Sequence, residues 1–127
     1  MNNLNSNLNS LIIEGNIVNK AEVREPKPYF KVTTFIIAVN RFYKDGDGKE
    51  VNEVDYFDIE CYGNMAQFAA DKGEVGRGIR VVGRLKQSVW EDEEGEKHSK
   101  VFVVAEHIEY KPIVTKKEST NENSKIF

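Results

Sequence analysis

Apolar and polar positions alternate along most of the chain with the period of two that marks half-buried strands. From Val54 to Tyr62 the residues Phe57, Ile59 and Cys61 share one parity, while Tyr56, Asp58, Glu60 and Tyr62 share the other. From Gly78 to Trp90 the apolar set is Ile79, Val81, Gly83, Leu85 and Val89, opposite Arg80, Val82, Arg84, Lys86, Ser88 and Trp90. Leu11 to Val18 is rich in β-branched residues, with Gly15 marking a bulge or bend. Lys31 to Phe42 is apolar on both parities, which predicts a strand covered on both sides. A fifth run spans Ser99 to Tyr110.

Turn chemistry separates these runs: Pro26 and Pro28, the Asp45-Gly46-Asp47-Gly48 cluster, and the acidic stretch Glu91 to Lys97 around Gly95. One segment breaks the period. After Gly63-Asn64, the residues Met65, Phe68 and Ala69 fall at the i, i+3, i+4 spacing of a short helix ending near Gly73. Five strands with a helix after the third predict a mainly all-β fold, a five-stranded OB-fold Greek-key barrel with one short helix between strands three and four. The flanks lack periodicity. Residues 1–9 hold five asparagines and read as a flexible leader, 10–110 as the domain, and 111–127, past Pro112, as a flexible, disordered tail.

A chain of 127 residues, 39% hydrophobic and 31% charged, suits one globular domain. No apolar run approaches the roughly 20 residues of a spanning helix. Met1 to Ser10 has neither a basic start nor an apolar stretch, so a cytoplasmic protein is expected. Cys61 is the only cysteine and reads as a small buried apolar residue, and His98 and His107 have no companion ligands that would make a zinc site. The Asp45 loop is not an EF-hand, because Lys49, Glu50 and Tyr56 stand where an oxygen ligand, a glycine and a glutamate are required. No metal or other cofactor is expected. The glycines form no phosphate loop and the carboxylates sit in loops without a paired nucleophile, which argues against an enzyme.

The net charge of −3 does not favour nucleic acid, but its distribution matters more than its sum. Five acids crowd into Glu91 to Glu96 and five into Asp45 to Asp55, leaving other segments locally basic. On the polar parities stand Tyr56, Tyr62 and Trp90 together with Arg80, Arg84 and Lys86. Rings interleaved with cations are what an unpaired nucleic-acid strand requires, since every base has a face to stack and every phosphate a charge to neutralise.

The segments Leu11-Ile12-Ile13-Glu14-Gly15-Asn16, Phe35-Ile36-Ile37-Ala38-Val39-Asn40, Asp55-Tyr56-Phe57-Asp58-Ile59 with Tyr62-Gly63, and Val81-Val82-Gly83-Arg84-Leu85 followed by Trp90 resemble, in order and spacing, the bacterial single-stranded-DNA-binding protein family. The resemblance runs from about Asn9 to Tyr110. It implies a homotetramer of OB-folds that coats single-stranded DNA in replication, recombination and repair, with base-stacking positions at Tyr43, Tyr56, Tyr62 and Trp90. Arg41, beside Tyr43, joins Arg80, Arg84 and Lys86 as a candidate phosphate contact. Several positions depart from the family pattern. Tyrosines stand at three of the ring positions, Phe57 replaces a usual histidine, Asp58 replaces a common arginine and Glu60 an apolar residue, and Gln87-Ser88-Val89 replaces a run that is often basic. The family's acidic C-terminal tip, which recruits replication and repair proteins, is absent, although Phe127 keeps its last aromatic. The acids at 58 and 60 leave open an alternative, a divergent OB-fold turned to protein interaction with weak or lost DNA binding.

Overall fold

Strands that are apolar on one side only must close around that side, and in the computed structural model, which describes residues 4–113, they do so as a barrel. The elements are β1 (Leu11–Ile17), β2 (Glu22–Lys27), β3 (Phe30–Lys44), β4 (Glu50–Tyr62), α1 (Asn64–Lys72), β5 (Gly78–Glu91) and β6 (Lys97–Tyr110). Their order in the sheet is β1-β5-β6-β4-β3-β2, and β1 also pairs with β3, so five strands close on themselves and β2 remains outside as an edge. All pairings are antiparallel except a short parallel seam, Ile59↔Val103 and Glu60↔Val104, between β4 and β6. The predicted five-stranded barrel is therefore present, with its helix between β4 and β5. No helix among the described residues is long and apolar enough to cross a membrane.

The core collects the expected parities: Phe35 and Ile37 from β3, Ile59 and Cys61 from β4, Ile79 and Val81 from β5, and Val103, Ala105 and Ile108 from β6. Ala66 and Ala69 of α1 pack against this cluster. Thr33, fully buried, ties the helix down by donating its hydroxyl to the Ala66 carbonyl at 2.7 Å, whereas the buried Tyr110 hydroxyl has no hydrogen-bond partner among the described residues.

Gly15 forms no bulge. It pairs regularly with Ile79 where β1 passes from β5 to β3, and an added Cβ would lie 2.6 Å from the Ala38 carbonyl oxygen. The register irregularity falls instead between Val82 and Gly83 of β5, opposite β6.

Two hairpins outgrow the barrel, and their tips are built alike. In the β3–β4 tip the Asp45 carboxylate accepts the N–H groups of Asp47 and Lys49, both at 2.9 Å, before Gly48 at φ 81°. In the β5–β6 tip Asp92 accepts those of Glu94 and Glu96 at the same distance, before Gly95, also at φ 81°. Leu85 and Val89 continue the core parity of β5 but lie beyond the barrel's end, so they are exposed instead of buried. The outer positions Thr34, Ile36 and Ala38 of β3 are half-buried, which accounts for its apolar residues on both parities.

β2 is a strand where the sequence suggests only a turn. All six of its residues are exposed, and Pro26 falls within an interruption of the register between Arg24 and Lys27; a residue without an N–H is tolerated there, on an edge strand. The turn itself is Pro28-Tyr29, closed by Lys27↔Phe30. Tyr29 adopts φ 66°, the sign that type II turns reserve for glycine after proline. For an L side chain this costs on the order of 1 kcal/mol.

Candidate nucleic-acid interface

The outward parity of β4 carries Tyr56, Asp58, Glu60 and Tyr62 opposite Ala38, Ile36, Thr34 and Val32 of β3. Outward on β5 stand Arg84, Lys86, Ser88 and Trp90, facing Val104, Phe102, Lys100 and His98 of β6. Because β4 and β6 meet at the parallel seam, these two outer faces are continuous. They share a groove of about 410 Å³ whose lining includes Arg24, Asp58, Glu60, Trp90, Lys100 and Phe102.

Trp90 stands on the β5–β6 arm, 46% exposed, with one ring face stacked on His98 at 5.6 Å between centroids and 23° between planes. His98 is itself fixed, its Nε2 2.8 Å from the Asp92 carboxylate. That hydrogen bond, with those from the Glu96 and Glu94 backbone, holds the Asp92 carboxyl below its ordinary value. Tyr56 is 63% exposed. Tyr62 is less open. Its ring stacks on Phe30 at 5.9 Å and 15°, and its hydroxyl donates to Glu60 at 2.5 Å. Burial first, and then the Glu60 carboxylate, push its pKa up to about 12, against the opposing pull of the nearby Arg84 and Arg24 charges.

Tyr43 does not join these rings. The β3–β4 register runs without a bulge from Val32↔Tyr62 to Lys44↔Glu50, so strict alternation puts Tyr43 on the face of Arg41, Val51 and Glu53, opposite that of Tyr56. The Arg41 guanidinium lies 4.4 Å from the centre of the Tyr43 ring and 3.7 Å from Glu53. A hydrogen bond with Glu53 is the main cause that raises the Tyr43 pKa.

The other predicted cations differ in how far they are already engaged. Arg80 is held by Glu14 at 2.6 Å and Glu109 at 3.6 Å. Its partner Glu14 is lowered in pKa by hydrogen bonds from Lys111 first and Arg80 second. Arg84 lies 3.7 Å from Glu106. Lys86 is exposed and makes no ion pair among the described residues.

Four groups at this face escaped the sequence reading. Arg24 of β2 pairs with Glu60 at 3.7 Å, and Lys100 of β6 pairs with Asp58 at 3.2 Å. Both troublesome carboxylates thus already have cations within the chain. Phe30 and His98 each stack against a predicted ring. Their strands lie far from β4 or β5 in sequence or across a tip, so only the cross-strand register could have revealed them.

At the β5–β6 tip Asp92, Glu96 and His98 bring potential ligand atoms within 4.8 Å of one another, an exposed group that could meet a cation. Asp92, however, is already committed to the turn N–H groups and to His98. Cys61 is buried, and desolvation pushes its thiol up to about 12, which leaves it unsuited to nucleophilic work. The face offers the open rings of Tyr56 and Trp90 and the partly covered ring of Tyr62, beside cations most of which are in exchangeable surface pairs.

The model of the single-strand binding protein family matches residues 8–111. A single-stranded DNA-binding protein of Aquifex aeolicus is 36% identical over 101 residues, covering 80% of this chain and 68% of that one. A deletion mutant of the single-stranded DNA binding protein from Thermus aquaticus superposes with a TM-score of 0.73 at 28% identity, over 83% of this chain and 51% of that one. A Plasmodium falciparum SSB in complex with ssDNA shares the fold at 20% identity, with a TM-score of 0.77 over 88% of this chain and all of that one. The chain spans about two thirds of the length of the curated relatives it matches.

Proposed function

Because the chain belongs to the single-strand binding protein family, we propose that it binds and protects single-stranded DNA in replication, recombination and repair, without catalysing a reaction. The observation that carries this reading is the groove between the β3–β4 face and the β5–β6 arm, lined by Trp90, Arg24 and Lys100 among others, with Tyr56 and Tyr62 on the same outer parity of β4 and Arg84 and Lys86 on that of β5. Along this face Trp90, Tyr56 and Tyr62 stack bases, while Lys86 and Arg84 meet phosphates. Arg80 contributes once it leaves Glu14 and Glu109. Tyr43 and Arg41 serve a strand that continues around the β3–β4 hairpin onto its other face.

The binding unit is taken as residues 10–110, flanked by the leader 1–9 and the tail 111–127. Residues 1–3 and 114–127 lie outside the described residues, and the docking of replication and repair proteins expected of the C-terminal tail falls on the latter. Within the leader, Asn9 reaches the barrel: its side-chain amide both donates to and accepts from the backbone of Leu85, at 2.9 Å each way. A homotetramer acting in the cytoplasm is the form proposed for the working protein. The acids at 58 and 60 had favoured a protein-interaction module, but pairing with Lys100 and Arg24 removes the need for a partner's cations.

Titrating oligo-dT into the protein while following the fluorescence of Trp90, the sole tryptophan, tests the reading. Stacking on a base quenches the emission, and an equal concentration of duplex does so far less. Unchanged fluorescence together with no bound oligonucleotide at micromolar protein overturns it. Sedimentation of the same sample gives the oligomeric state, and a strict monomer refutes the tetramer.

A further inference from the structure

Tyr29 is 99% exposed at the tip of the β2–β3 turn, and its ring stacks on no other ring among the described residues. The backbone there does not ask for a tyrosine. Its φ of 66° after Pro28 is the conformation that glycine adopts without strain, so the turn would form more readily without this side chain. The turn is otherwise set, since the Tyr29 N–H donates to the Glu25 carboxylate at 3.3 Å and Lys27 pairs with Phe30 across it. What the side chain adds is a flat, solvated aromatic surface at a fixed place.

That place adjoins the interface. Phe30, the next residue, lies nearly parallel to Tyr62 at 5.9 Å between centroids, so the strand end that carries Tyr29 is anchored on the outer face of β4. Arg24, on the same hairpin, reaches back to Glu60 in the groove. We propose that the Pro28-Tyr29 turn is a further base-stacking position for single-stranded DNA, with Tyr29 as the platform, one residue from the Phe30 ring that stacks on Tyr62. This rests on the reading of the groove as a single-strand site. The charges of β2, Glu22, Arg24, Glu25 and Lys27, sum to zero, and Lys31 on the β3 arm already donates to Gln67, so the contribution of this position comes from stacking more than from phosphate neutralisation.

Two properties therefore separate it from a cationic contact. Replacing the ring by Tyr29→Gly should weaken binding of a long oligo-dT about five- to tenfold, the lower part of the range for one lost stacked base, and the factor should be the same at 0.1 and 0.5 M salt. The thermal midpoint of the protein should hold or rise, because the backbone strain is relieved. Moving the single indole to the turn, with Tyr29→Trp and Trp90→Phe together, supplies a direct signal: dT should quench it. Equal affinity of Tyr29→Gly and wild type with no quenching of the relocated indole overturns the proposal, as does a change in sedimentation at unaltered DNA affinity, which would assign the ring to a subunit contact. Failure of the groove reading itself would appear differently, as absent quenching of Trp90 in the wild-type protein.

Discussion

Asp58 and Glu60 sit in the middle of the proposed strand path, each paired with a cation that the DNA could use. Replacing them by Asp58→Asn and Glu60→Gln should leave the fold almost unchanged. The side chains of Lys100 and Asp58 are 52% and 39% exposed, and those of Arg24 and Glu60 56% and 19%, so the lost pairs belong to the solvent-screened class worth about 0–1 kcal/mol each. A glutamine at 60 can still accept the Tyr62 hydroxyl. The effect on DNA should be larger. Two released cations that meet phosphate add about 2 × −0.7, or roughly −1.4, to the slope of log affinity against log salt. Between 0.1 and 0.5 M salt the advantage of the double mutant over wild type should therefore shrink about tenfold, from a clear gain to near parity. Fluorescence titration of Trp90 with oligo-dT at four salt concentrations measures both slopes. Parallel lines would show that Arg24 and Lys100 never reach phosphate, and weaker binding by the mutant would show that the carboxylates organise the groove.

Trp90→Ala should weaken oligo-dT binding by about 1–3 kcal/mol, with circular dichroism and melting little changed, because the ring lies on the arm and contributes nothing to the core; unaltered affinity by filter binding would remove this ring from the site. Gly83→Ala should cost about 3 kcal/mol of folding stability, since its Cβ would lie 2.1 Å from the Val104 carbonyl oxygen and the obstructing atoms are backbone; a denaturant midpoint equal to wild type contradicts that geometry. Stability should be level at neutral pH and fall from about pH 9 to 12. Cys61, Tyr62 and Tyr110 are each raised by burial to about 12 from 9.0, 10.0 and 10.0, so the unfolded chain loses these protons first and is favoured as pH climbs. A urea midpoint that stays constant to pH 11 would refute it.

The barrel strands and the helix were readable because burial leaves a mark on every second or every third and fourth residue, as in Ile59 and Cys61 or in Met65 and Ala69, although Phe57 and Phe68 of the same two sets stay exposed. β2 left no such mark. It is exposed throughout and contains Pro26, so periodicity had nothing to register and the two prolines pointed to a turn. Leu85 and Val89 misled in the opposite sense, because alternation gives the face of a strand but not where the barrel beneath it stops. At the site, the parity of Tyr56, Tyr62 and Trp90 was legible within single strands. The pairing of Glu60 with Arg24 and Asp58 with Lys100 was not, since it depends on which strands become neighbours. The position of Tyr43 came from resemblance alone, and the unbroken β3–β4 register places it on the other face of the ribbon.

The double pairing of β1 also sets a timetable for the nascent chain. β3 and β4 are joined through a short tip and can zip as soon as both exist, but Ile13 finds its β5 partner in Val81, 68 positions later. At a synthesis rate of about 5–20 residues per second, the first strand waits roughly 3–14 s for its neighbour. During that interval Leu11 and Ile13 stand on an unpaired edge, open to the same strand of another nascent copy. Glu14 and Asn16 interrupt the apolar run there, and in the finished barrel they are met by Arg80 and by the Gly76 carbonyl. The polar residues that the mature protein uses as surface bonds are, in the growing chain, what keeps an early edge soluble until the fifth strand of the sheet emerges.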